Sequence, residues 1–414
     1  MLIKSIRGFR DILPGEVEKW QFLEGEARGI FELFGFAELR VPVLERTELF
    51  ARSIGEETDI VGKEMYTFAD RDGDSLTLRP EATSSIMRAY LENGLHTKEP
   101  VGKYYFIGPM FRHERPQKGR YRQFHQIDAE ILGVLEPWAD AEMIIVLMRY
   151  LQKVGIAHLN LQVNSLGCKK CRPSYKQEIQ KYLQSQKAKL CEDCRRRVET
   201  NPLRVFDCKR EECQNELADA PVVLDYLCPD CRAHFDRVRV LLDDQLIPYA
   251  INARMVRGLD YYTRTAFEVI AGALGAQNAV AGGGRYDGLA QEIGGPAVPG
   301  IGFAVGMERL ALLLADGENF LRHPRVFLAT LGPEAQRKGF ALAQQLREAG
   351  LSAEIDYEGK SLKSQMRRAD KLKSSYVLIL GEEEIKRNRA ILRDMATKEQ
   401  QEIPLEEIVG RIKK

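Results

Sequence analysis

A short basic stretch in the first third of the chain holds the residues best suited to chemistry. Two segments with apolar ends predict strands, and the loop between them carries four cations: Arg112, Arg115, Lys118 and Arg120. Guanidinium groups bind phosphate oxygens through paired hydrogen bonds. An aromatic residue beyond the loop, Phe124, could stack on a base. This pattern favours a site for a polyphosphate nucleotide or a nucleic-acid end, with a solvated hairpin as the alternative.

The strand that follows this loop should have one polar side. Successive side chains of a strand point to opposite faces of the sheet. The apolar face is then formed by Ile127, Ala129 and Ile131. The opposite face carries Arg122, Phe124, Gln126, Asp128 and Glu130. A strand with one face to solvent would alternate in the same way, so the pattern is compatible with a site without requiring one.

Composition and charge exclude several broad classes of protein. The 414 residues include 61 Lys and Arg against 60 Asp and Glu, so any binding of nucleic acid must come from local patches. The length suits roughly two or three domains. The first residues lack the apolar core of a signal peptide, and no apolar run is long enough to cross a bilayer. We therefore expect a cytoplasmic protein without a membrane partner.

The elements before the basic stretch can be predicted from periodicity and turn residues. Apolar side chains at helical spacing predict an amphipathic helix at 16–34 that ends near Gly35. The next segment contains a strand in which Pro42 suits an edge or an irregular position. Asp72 and Gly73 then predict a hairpin turn between two strands.

Helices are expected at three later places. One should open after Pro80 with Glu81 in its first turn and Thr83 two residues later. The helix dipole would stabilise a carboxylate there whatever its function. Two further helices are predicted at 140–153 and around 235–242, where apolar residues recur at helical spacing.

The eight cysteines all lie in one part of the chain and form four close pairs. The pairs are Cys168 with Cys171, Cys191 with Cys194, Cys208 with Cys213, and Cys228 with Cys231. Structural disulfides are not expected in a reducing compartment, and this spacing fits tetrahedral thiolate sites, in principle two of them. Free thiols left from an ancestral metal site are the alternative. Structural zinc is compatible with the spacing, and the metal stays unassigned.

Several candidate residues lie in glycine-rich or aromatic segments after the cysteines. Neither AGGGRYDGL nor GIGFAVGMERL fits a dinucleotide or P-loop pattern, and the second predicts a strand entering a helix with Arg309 in its first turn. Gly258 would permit a tight turn that aims Arg257 inward. By residue type alone, both arginines would be solvated. Tyr261 and Tyr262 can line one pocket only where the backbone is irregular, because neighbouring strand residues point to opposite sides.

The pattern of residues in the sequence changes at Val326. Short apolar runs alternate with amphipathic segments, which predicts βαβ units and a largely parallel sheet. Six cations crowd one of the predicted helices: Lys360, Lys363, Arg367, Arg368, Lys371 and Lys373. A charged helix is often only a solvated face.

The motifs resemble one family of enzymes. The arginine-ending strand, loop and second strand resemble motif 2 of class II aminoacyl-tRNA synthetases, and FRHERPQKGRYRQFHQ resembles the histidyl-tRNA synthetase family. Further collinear matches are GFRDILP, TLRPEATSSIMRAY at 77–90, RGLDYYTRTAFEV at 257–269, AGGGRYDGL at 281–289 and GIGFAVGMERL at 300–310. Another class II synthetase would lack the RGLDYY pattern.

The resemblance implies an architecture. It implies an α+β catalytic domain at 1–325, with a central antiparallel sheet flanked by helices and a small cysteine-rich insertion at 165–235. It implies a C-terminal α/β anticodon-binding domain at 326–414. The first helix and strand resemble motif 1, which builds the dimer interface, so a homodimer is implied as well.

The resemblance also implies an activity and roles for residues. The activity is histidine-tRNA ligation, with L-histidine, ATP with Mg²⁺ and tRNA(His) as substrates. The implied catalytic residues are Arg112 and Arg257. The implied histidine-binding residues are Glu81, Thr83, Gln126, Glu130, Arg257, Tyr261 and Tyr262. The implied ATP-binding residues are Arg112, Glu114, Arg120, Phe124 and Arg309. Contact with the acceptor end of the tRNA is implied for Arg115 and Gln117.

One alternative from another class shares this fold. It is a synthetase-like regulatory subunit of histidine biosynthesis, a non-catalytic binding protein. Such proteins generally lack the anticodon domain and several ATP-binding positions. This chain keeps Arg112, Arg257, Arg309 and a long segment after Arg325.

Overall fold

The computed structural model describes residues 2–56, 58–272, 279–314 and 320–413. The chain forms two compact units, Met1–Gly317 and Glu318–Lys414. Among the described helices, none has the length and apolarity needed to cross a membrane.

The first unit is built on two sheets. Its strands are β1 (Ala37–Glu38), β2 (Leu44–Arg46), β3 (Tyr66–Ala69), β4 (Ser75–Leu78), β5 (Gly102–Phe111), β6 (Gln123–Leu132), β7 (Leu159–Ser165), β8 (Ala250–Ile251), β9 (Thr263–Ala271), β10 (Ala279–Arg285) and β11 (Gly300–Gly306). The large sheet has the order β1-β5-β6-β11-β10-β9-β7-β8, and β2-β4-β3 form a small one. All inner pairs of the large sheet are antiparallel, while β1 and β8 pair in parallel at its two edges. The predicted central antiparallel sheet is confirmed.

Helices cover this sheet. They are α1 (Val17–Leu33), α2 (Thr47–Ile54), α3 (Thr83–Glu92), α4 (Leu95–Lys98), α5 (Pro137–Lys153), α6 (Arg172–Gln186), α7 (Glu192–Thr200), α8 (Glu211–Glu216), α9 (Pro229–Asp244), α10 (Leu289–Glu292) and α11 (Met307–Leu313). The predicted amphipathic helix α1 buries Trp20, Leu23, Ala27 and Phe31 and ends just before Gly35, whose φ of +75° suits glycine. The predicted helices α5 and α9 are also present, and they pack against each other.

Two local predictions need correction. The Asp72–Gly73 hairpin has a five-residue loop from Asp70 to Asp74, because Ala69 pairs with Ser75. The Asp70 side chain accepts hydrogen bonds from the backbone N–H groups of Asp72 and Asp74, which closes this longer loop. Likewise, Glu81 precedes helix α3, which begins at Thr83, so Glu81 is outside the first turn.

The cysteine-rich segment leaves the sheet after β7 and returns through α9. It contains α6, α7 and α8 around a small core of its own, which includes Tyr175, Ile179, Leu183 and Val198. The predicted insertion boundary at 235 falls inside α9, which continues to Asp244.

The second unit has a five-stranded sheet with the order β13-β12-β14-β15-β16. Its elements are β12 (Val326–Thr330), α12 (Pro333–Glu348), β13 (Ala353–Ile355), α13 (Leu362–Lys371), β14 (Tyr376–Leu380), α14 (Glu382–Lys386), β15 (Arg389–Asp394), β16 (Gln400–Pro404) and α15 (Ile408–Lys413). Strands β12, β13 and β14 are parallel, as predicted. The expectation of a largely parallel sheet missed the antiparallel hairpin β15–β16 at its edge.

Candidate active site

A cavity of about 410 Å³ opens on the large sheet of the first unit. Its walls come from β6, β9, β10 and β11, from the start of α3, from the loop between β5 and β6, and from the segment before β9. The predicted site residues that line it are Glu81, Thr83, Arg112, Glu114, Arg120, Phe124, Gln126, Arg257, Tyr261, Tyr262 and Arg309. Residues far apart in sequence therefore meet in one cavity.

Arg112 is fixed where β5 ends. Its Nε donates a hydrogen bond of 2.8 Å to the carbonyl oxygen of Pro80, which joins β5 to the start of α3. Its guanidinium carbon lies 5.2 Å from the ring centroid of Phe124, a distance typical of a cation–π contact. Burial lowers the pKa of Arg112, although the carboxylates of Glu64 and Glu81 oppose that shift.

Arg257 reaches the cavity over the glycines of β10. Its Nη1 donates to Glu268 Oε1 at 2.8 Å, and its guanidinium lies over the Tyr262 ring at 5.6 Å. A Cβ on Gly282 would lie 2.3 Å from the guanidinium Nη2, so only glycine leaves room for this side chain. Gly258 lies in a bend of the backbone, as predicted, although its φ is outside the left-handed region. The space at Gly282 then allows the guanidinium to lie over β10.

Two more arginines complete a cationic end of the cavity. Arg309 lies in the first turn of α11 and donates to the carbonyl oxygen of Ala279. Arg120 forms an ion pair with Glu114 across the loop. Burial lowers the pKa of Arg120, and the nearby charges of Arg309 and Arg112 lower it further. Partly buried cations that repel one another are a favourable site for a polyanion.

The other end of the cavity is acidic. Glu81 is 4 % exposed and accepts hydrogen bonds from the Ser84 N–H at 3.0 Å and the Tyr261 hydroxyl at 3.5 Å. Glu130 is 1 % exposed and lies behind the cavity wall, where the hydroxyls of Thr83, at 2.7 Å, and Tyr286 donate to it. Of the predicted histidine-binding residues, Glu130 alone does not line the cavity.

Burial changes the ionisation of these acids. It raises the pKa of Glu130 from 4.5 to about 8, although the Tyr286 and Thr83 hydroxyls oppose the shift. Burial also raises the pKa of Asp128 well above its ordinary value, and the charges of Glu130 and Glu81 add to the effect. Buried carboxyls of this kind favour a ligand that is cationic or donates hydrogen bonds.

Both tyrosines of the RGLDYY segment line the cavity. They precede β9, which begins at Thr263, and Arg264 next to it has a positive φ of 49°. Their ring centroids are 4.7 Å apart. The backbone is thus irregular at this point, as the condition for a shared pocket required.

Some lining residues were not identified from the sequence. Asp128 lies on the polar face expected for β6, yet no role was assigned to it; its Oδ2 has no hydrogen-bond partner among the described residues. Glu268 forms an ion pair with Arg257. It lies three residues after Thr265 in a segment of strand-forming residues, and nothing in that segment marked it as a site residue. Lys209 reaches the cavity from the cysteine-rich segment, which no local pattern indicates.

Arg115 and Gln117 lie away from the cavity wall. Both side chains are exposed on the loop between β5 and β6. The backbone of Gln117 forms two hydrogen bonds with that of Arg120, of 3.0 Å and 2.9 Å, which close the tip of the loop. The two residues are therefore available to a large partner.

The cysteines gather into two groups outside the cavity. Cys168, Cys171, Cys228 and Cys231 form one group, and Cys191, Cys194, Cys208 and Cys213 form the other. All eight are free thiols. Each group could hold one metal ion.

Comparison with known proteins identifies the family of this chain. Residues 8–310 match the family model described as Histidyl-tRNA synthetase. The chain belongs to the histidyl-tRNA synthetase family. Residues 325–414 match a second model, described as Anticodon binding domain. The family predicted from the motifs is confirmed.

Relatives of the family match over the full chain. The Histidine-tRNA ligase of Syntrophotalea carbinolica is 59 % identical over 99 % of this chain and 97 % of its own. That of Geobacter metallireducens is 55 % identical over 100 % of both. The crystal structure of apo S. aureus histidyl-tRNA synthetase has a TM-score of 0.84 at 35 % identity and covers 100 % of both chains. The predicted fold class is confirmed by this match.

Proposed function

We propose that this chain activates L-histidine with ATP and transfers it to the 3′ end of tRNA(His). As a member of its family it is an ATP-dependent aminoacyl-tRNA ligase. The observation that carries the assignment of the site is the meeting of Arg112, Arg257 and Arg309 in one cavity that ends in buried carboxyls.

The first step joins two anions, so charge neutralisation is the main task of the protein. The histidine carboxylate attacks the α-phosphorus of ATP, and pyrophosphate leaves. Arg112 and Arg257 would hold the carboxylate and the α-phosphate together, and stabilise the charge that develops on the phosphate oxygens. Both are already oriented, Arg112 by Pro80 and Arg257 by Glu268.

The rest of ATP would lie along the cationic end. Arg120 and Arg309 would hold the terminal phosphates, Glu114 would contact the adenine and Phe124 would stack on it. ATP binds together with Mg²⁺, which neutralises phosphate charge. The ion is usually coordinated by one or two protein carboxylates in addition to the phosphates. Glu268 fits that requirement, because its carboxylate lines the cavity and has a second oxygen beyond the one that pairs with Arg257.

Histidine would occupy the acidic end. Glu81, Thr83 and Gln126 would hold its amino group, and Tyr261 and Tyr262 would flank the imidazole. Glu130 lies behind the Thr83 hydroxyl, and from there it would interact with the imidazole. A pocket whose buried polar groups stay unpaired with the wrong ligand can discriminate by about 10⁴ to 10⁵, which accounts for selection without an editing step.

The two tRNA contacts are proposed at different places. Arg115 and Gln117 on the exposed loop would contact the acceptor end. Residues 326–414 would form the anticodon-binding domain, and residues 1–325 the catalytic domain with its insertion at 165–235. Because the proposed substrate is a tRNA, we propose that the protein is located in the cytoplasm.

A homodimer is proposed through α1 and the strands after it. Strand β1 is an edge of the large sheet, and three large apolar side chains near it are exposed: Leu33, Val43 and Leu44. The molar mass in solution would test this: Val43→Asp should give monomers. Leu246→Asp, at an exposed residue just before the opposite edge strand, is the control and should stay dimeric.

The regulatory subunit is the less favoured function. One crystal structure of an ATP phosphoribosyltransferase regulatory subunit/histidyl-tRNA synthetase from Bacillus halodurans has a TM-score of 0.67 at 17 % identity, a likeness of fold alone. The presence of Arg112, Arg257 and Arg309 in the cavity wall supports the catalytic function over this alternative.

Exchange of labelled pyrophosphate into ATP tests the function directly. The purified protein is incubated with ATP and each amino acid in turn. Exchange that depends on histidine alone is expected, followed by transfer to tRNA(His). No exchange with histidine, while histidine and ATP still bind, would favour the regulatory subunit.

A further inference from the structure

The eight cysteines lie in two compact groups. Each group consists of four residues, and within a group the sulfur atoms all lie within 4.8 Å of one another. The sequence contains no other cysteine. In sequence order, the first and fourth pairs form one group, and the second and third pairs form the other. The fold therefore determines the grouping.

The separations of the sulfur atoms match a metal-centred tetrahedron. Cys168 Sγ lies 3.7 Å from Cys171 Sγ and 3.9 Å from Cys228 Sγ. Cys191 Sγ lies 3.9 Å from Cys208 Sγ. Zinc–sulfur bonds of about 2.3 Å in tetrahedral geometry put neighbouring sulfurs about 3.8 Å apart. Bonded disulfide sulfurs would be only about 2.05 Å apart.

Backbone groups point at the sulfurs as they do around thiolates. The N–H of Cys228 donates to Cys171 Sγ at 3.1 Å, and the N–H of Cys191 donates to Cys213 Sγ at 3.3 Å. In the first group, the N–H of Lys170 also donates to Cys168 Sγ at 3.3 Å. Such donors stabilise the negative charge of metal-bound thiolates and orient them.

The size of the insertion also fits a metal-stabilised module. It is a small module with a core of its own that includes four buried or half-buried cysteines, and small modules commonly rely on metals or disulfides. The first cysteine group joins the chain just after β7 to the start of α9, which closes the base of the insertion. The second group closes the loop between α7 and α8.

We propose that the insertion binds two Zn²⁺ ions, one in each group of four cysteine thiolates. Four sulfur ligands leave no open position, so both ions are structural. Softer thiolate ligands select zinc over the magnesium that accompanies ATP.

The two zinc sites also position the active site. Next to Cys171, Arg172 donates to the carbonyl oxygen of Tyr262 in the histidine pocket. Cys208 lies between Asp207 and Lys209. Asp207 pairs at 2.6 Å with Arg204, which donates at 3.0 Å to the carbonyl oxygen of Arg257. Lys209 lines the cavity itself.

Metal and thiol analysis of the full chain, purified without chelators, tests the proposal. Two zinc ions per chain are expected by elemental analysis, with no thiol reactive to Ellman's reagent until a chelator removes the zinc, and then all eight. Iron in place of zinc, no metal, or disulfides in the fresh protein would overturn it.

Single substitutions assign each ion to its group. Cys231→Ala and Cys213→Ala should each lower the zinc content from two ions to one, and Lys176→Ala, at an exposed residue of α6, should keep both. Should a variant fail to fold, wild-type protein reconstituted with Co²⁺ gives a second measurement. Intense sulfur-to-cobalt charge transfer with tetrahedral d–d bands is expected, and a weak octahedral spectrum would contradict the sites.

Kinetics test the positioning role separately from folding. Removal of zinc from the wild-type protein should raise KM for histidine severalfold more than KM for ATP, because Tyr262 is held through Arg172. Readdition of zinc should restore it. Equal changes in both constants would contradict the link to the histidine pocket.

Discussion

Arg257 shows how the position of one side chain depends on a residue that has no side chain of its own. Its guanidinium lies on the backbone of β10, where Gly282 has no side chain to exclude it. Its Nη1 pairs with Glu268 at 2.8 Å, so the charge is held in place before any ligand enters. Such preorganisation avoids the cost of reorienting the group during the reaction.

Removal of this guanidinium should slow adenylate formation. Arg257→Ala is expected to reduce histidine-dependent pyrophosphate exchange by roughly 10²- to 10³-fold, the scale for loss of one electrostatic contact to developing charge. Arg257→Lys should recover only part, because an ammonium lacks the planar fork. An unchanged exchange rate in Arg257→Ala would refute the role.

Gly282→Ala should cause a similar loss without removing any functional group. The new Cβ would lie 2.3 Å from Arg257 Nη2, so the guanidinium must move. Gly258→Ala is the matched control, because its Cβ would meet only Arg204 Nη1 at 3.7 Å. Exchange rates are measured for both, with circular dichroism to check folding. Equal activity of the two variants would contradict the steric argument.

Glu130 should make the stability of the protein depend on pH. Burial raises its pKa from 4.5 to about 8. A carboxyl with a raised pKa in the folded state contributes stability at low pH, and this contribution is lost as the pH rises through that window. Glu130→Gln should therefore give a flatter dependence of the urea midpoint between about pH 5 and 8. Glu178→Gln, on an exposed part of α6, should follow the wild-type curve; a wild-type slope in Glu130→Gln would contradict the assignment.

At the scale of elements, β10 is tied to α5 by a buried ionic network. Arg285 at the end of β10 is fully buried and donates through Nε to both oxygens of Asp140, at 3.1 and 2.9 Å. Asp140 Oδ1 also accepts a hydrogen bond of 3.0 Å from Nε2 of His234 in α9. The arginine of AGGGRYDGL therefore holds the glycine strand in place and does not line the cavity.

Breaking this network should destabilise the first unit. Asp140→Ala leaves the Arg285 charge buried without its main partner, which typically costs about 3–5 kcal/mol. Urea unfolding followed by tryptophan fluorescence, from Trp20 and Trp138, measures the loss, and Lys181→Ala, from an exposed pair on α6, should leave the midpoint unchanged. A midpoint equal to wild type in Asp140→Ala would contradict a structural role for the network.

At the scale of the molecule, the chain is divided into two compact units. We therefore expect that binding of tRNA by the second unit can be tested separately from adenylate formation in the first. On α13 of the second unit, Lys363, Arg367 and Lys371 are exposed and follow one another four residues apart, so they share one face. Arg368, by contrast, is paired with Glu354 and Asp356. The exposed cations are the part of this helix available to RNA phosphates.

Reversing their charge should affect tRNA use alone. Lys363→Glu with Arg367→Glu is expected to raise KM for tRNA at least tenfold, while pyrophosphate exchange stays unchanged, because adenylate formation needs no tRNA. Arg337→Glu with Lys338→Glu on α12 is the matched control. Equal aminoacylation by the two double variants would place the RNA contact elsewhere.

Much of this protein can be predicted from local pattern. The periodicity of α1, the polar face of β6 and the alternation after Val326 follow from side-chain spacing, which local sequence fixes. The motifs led to the family and to the fold. The five-residue loop at 70–74 and the hairpin β15–β16 were missed, because side-chain capping and strand direction depend on neighbours that a short window does not contain.

The sequence by itself determined which residue types are present and which elements carry them. Only the tertiary structure decided that Arg112, Arg257 and Arg309 meet in one cavity, that Glu130 lies behind Thr83, and that Gly282 makes room for a guanidinium. It also decided how four cysteine pairs divide into two groups of four. The physical reason is that each of these contacts joins strands or loops distant in the chain, and their proximity is set by sheet order and packing, which no local spacing encodes.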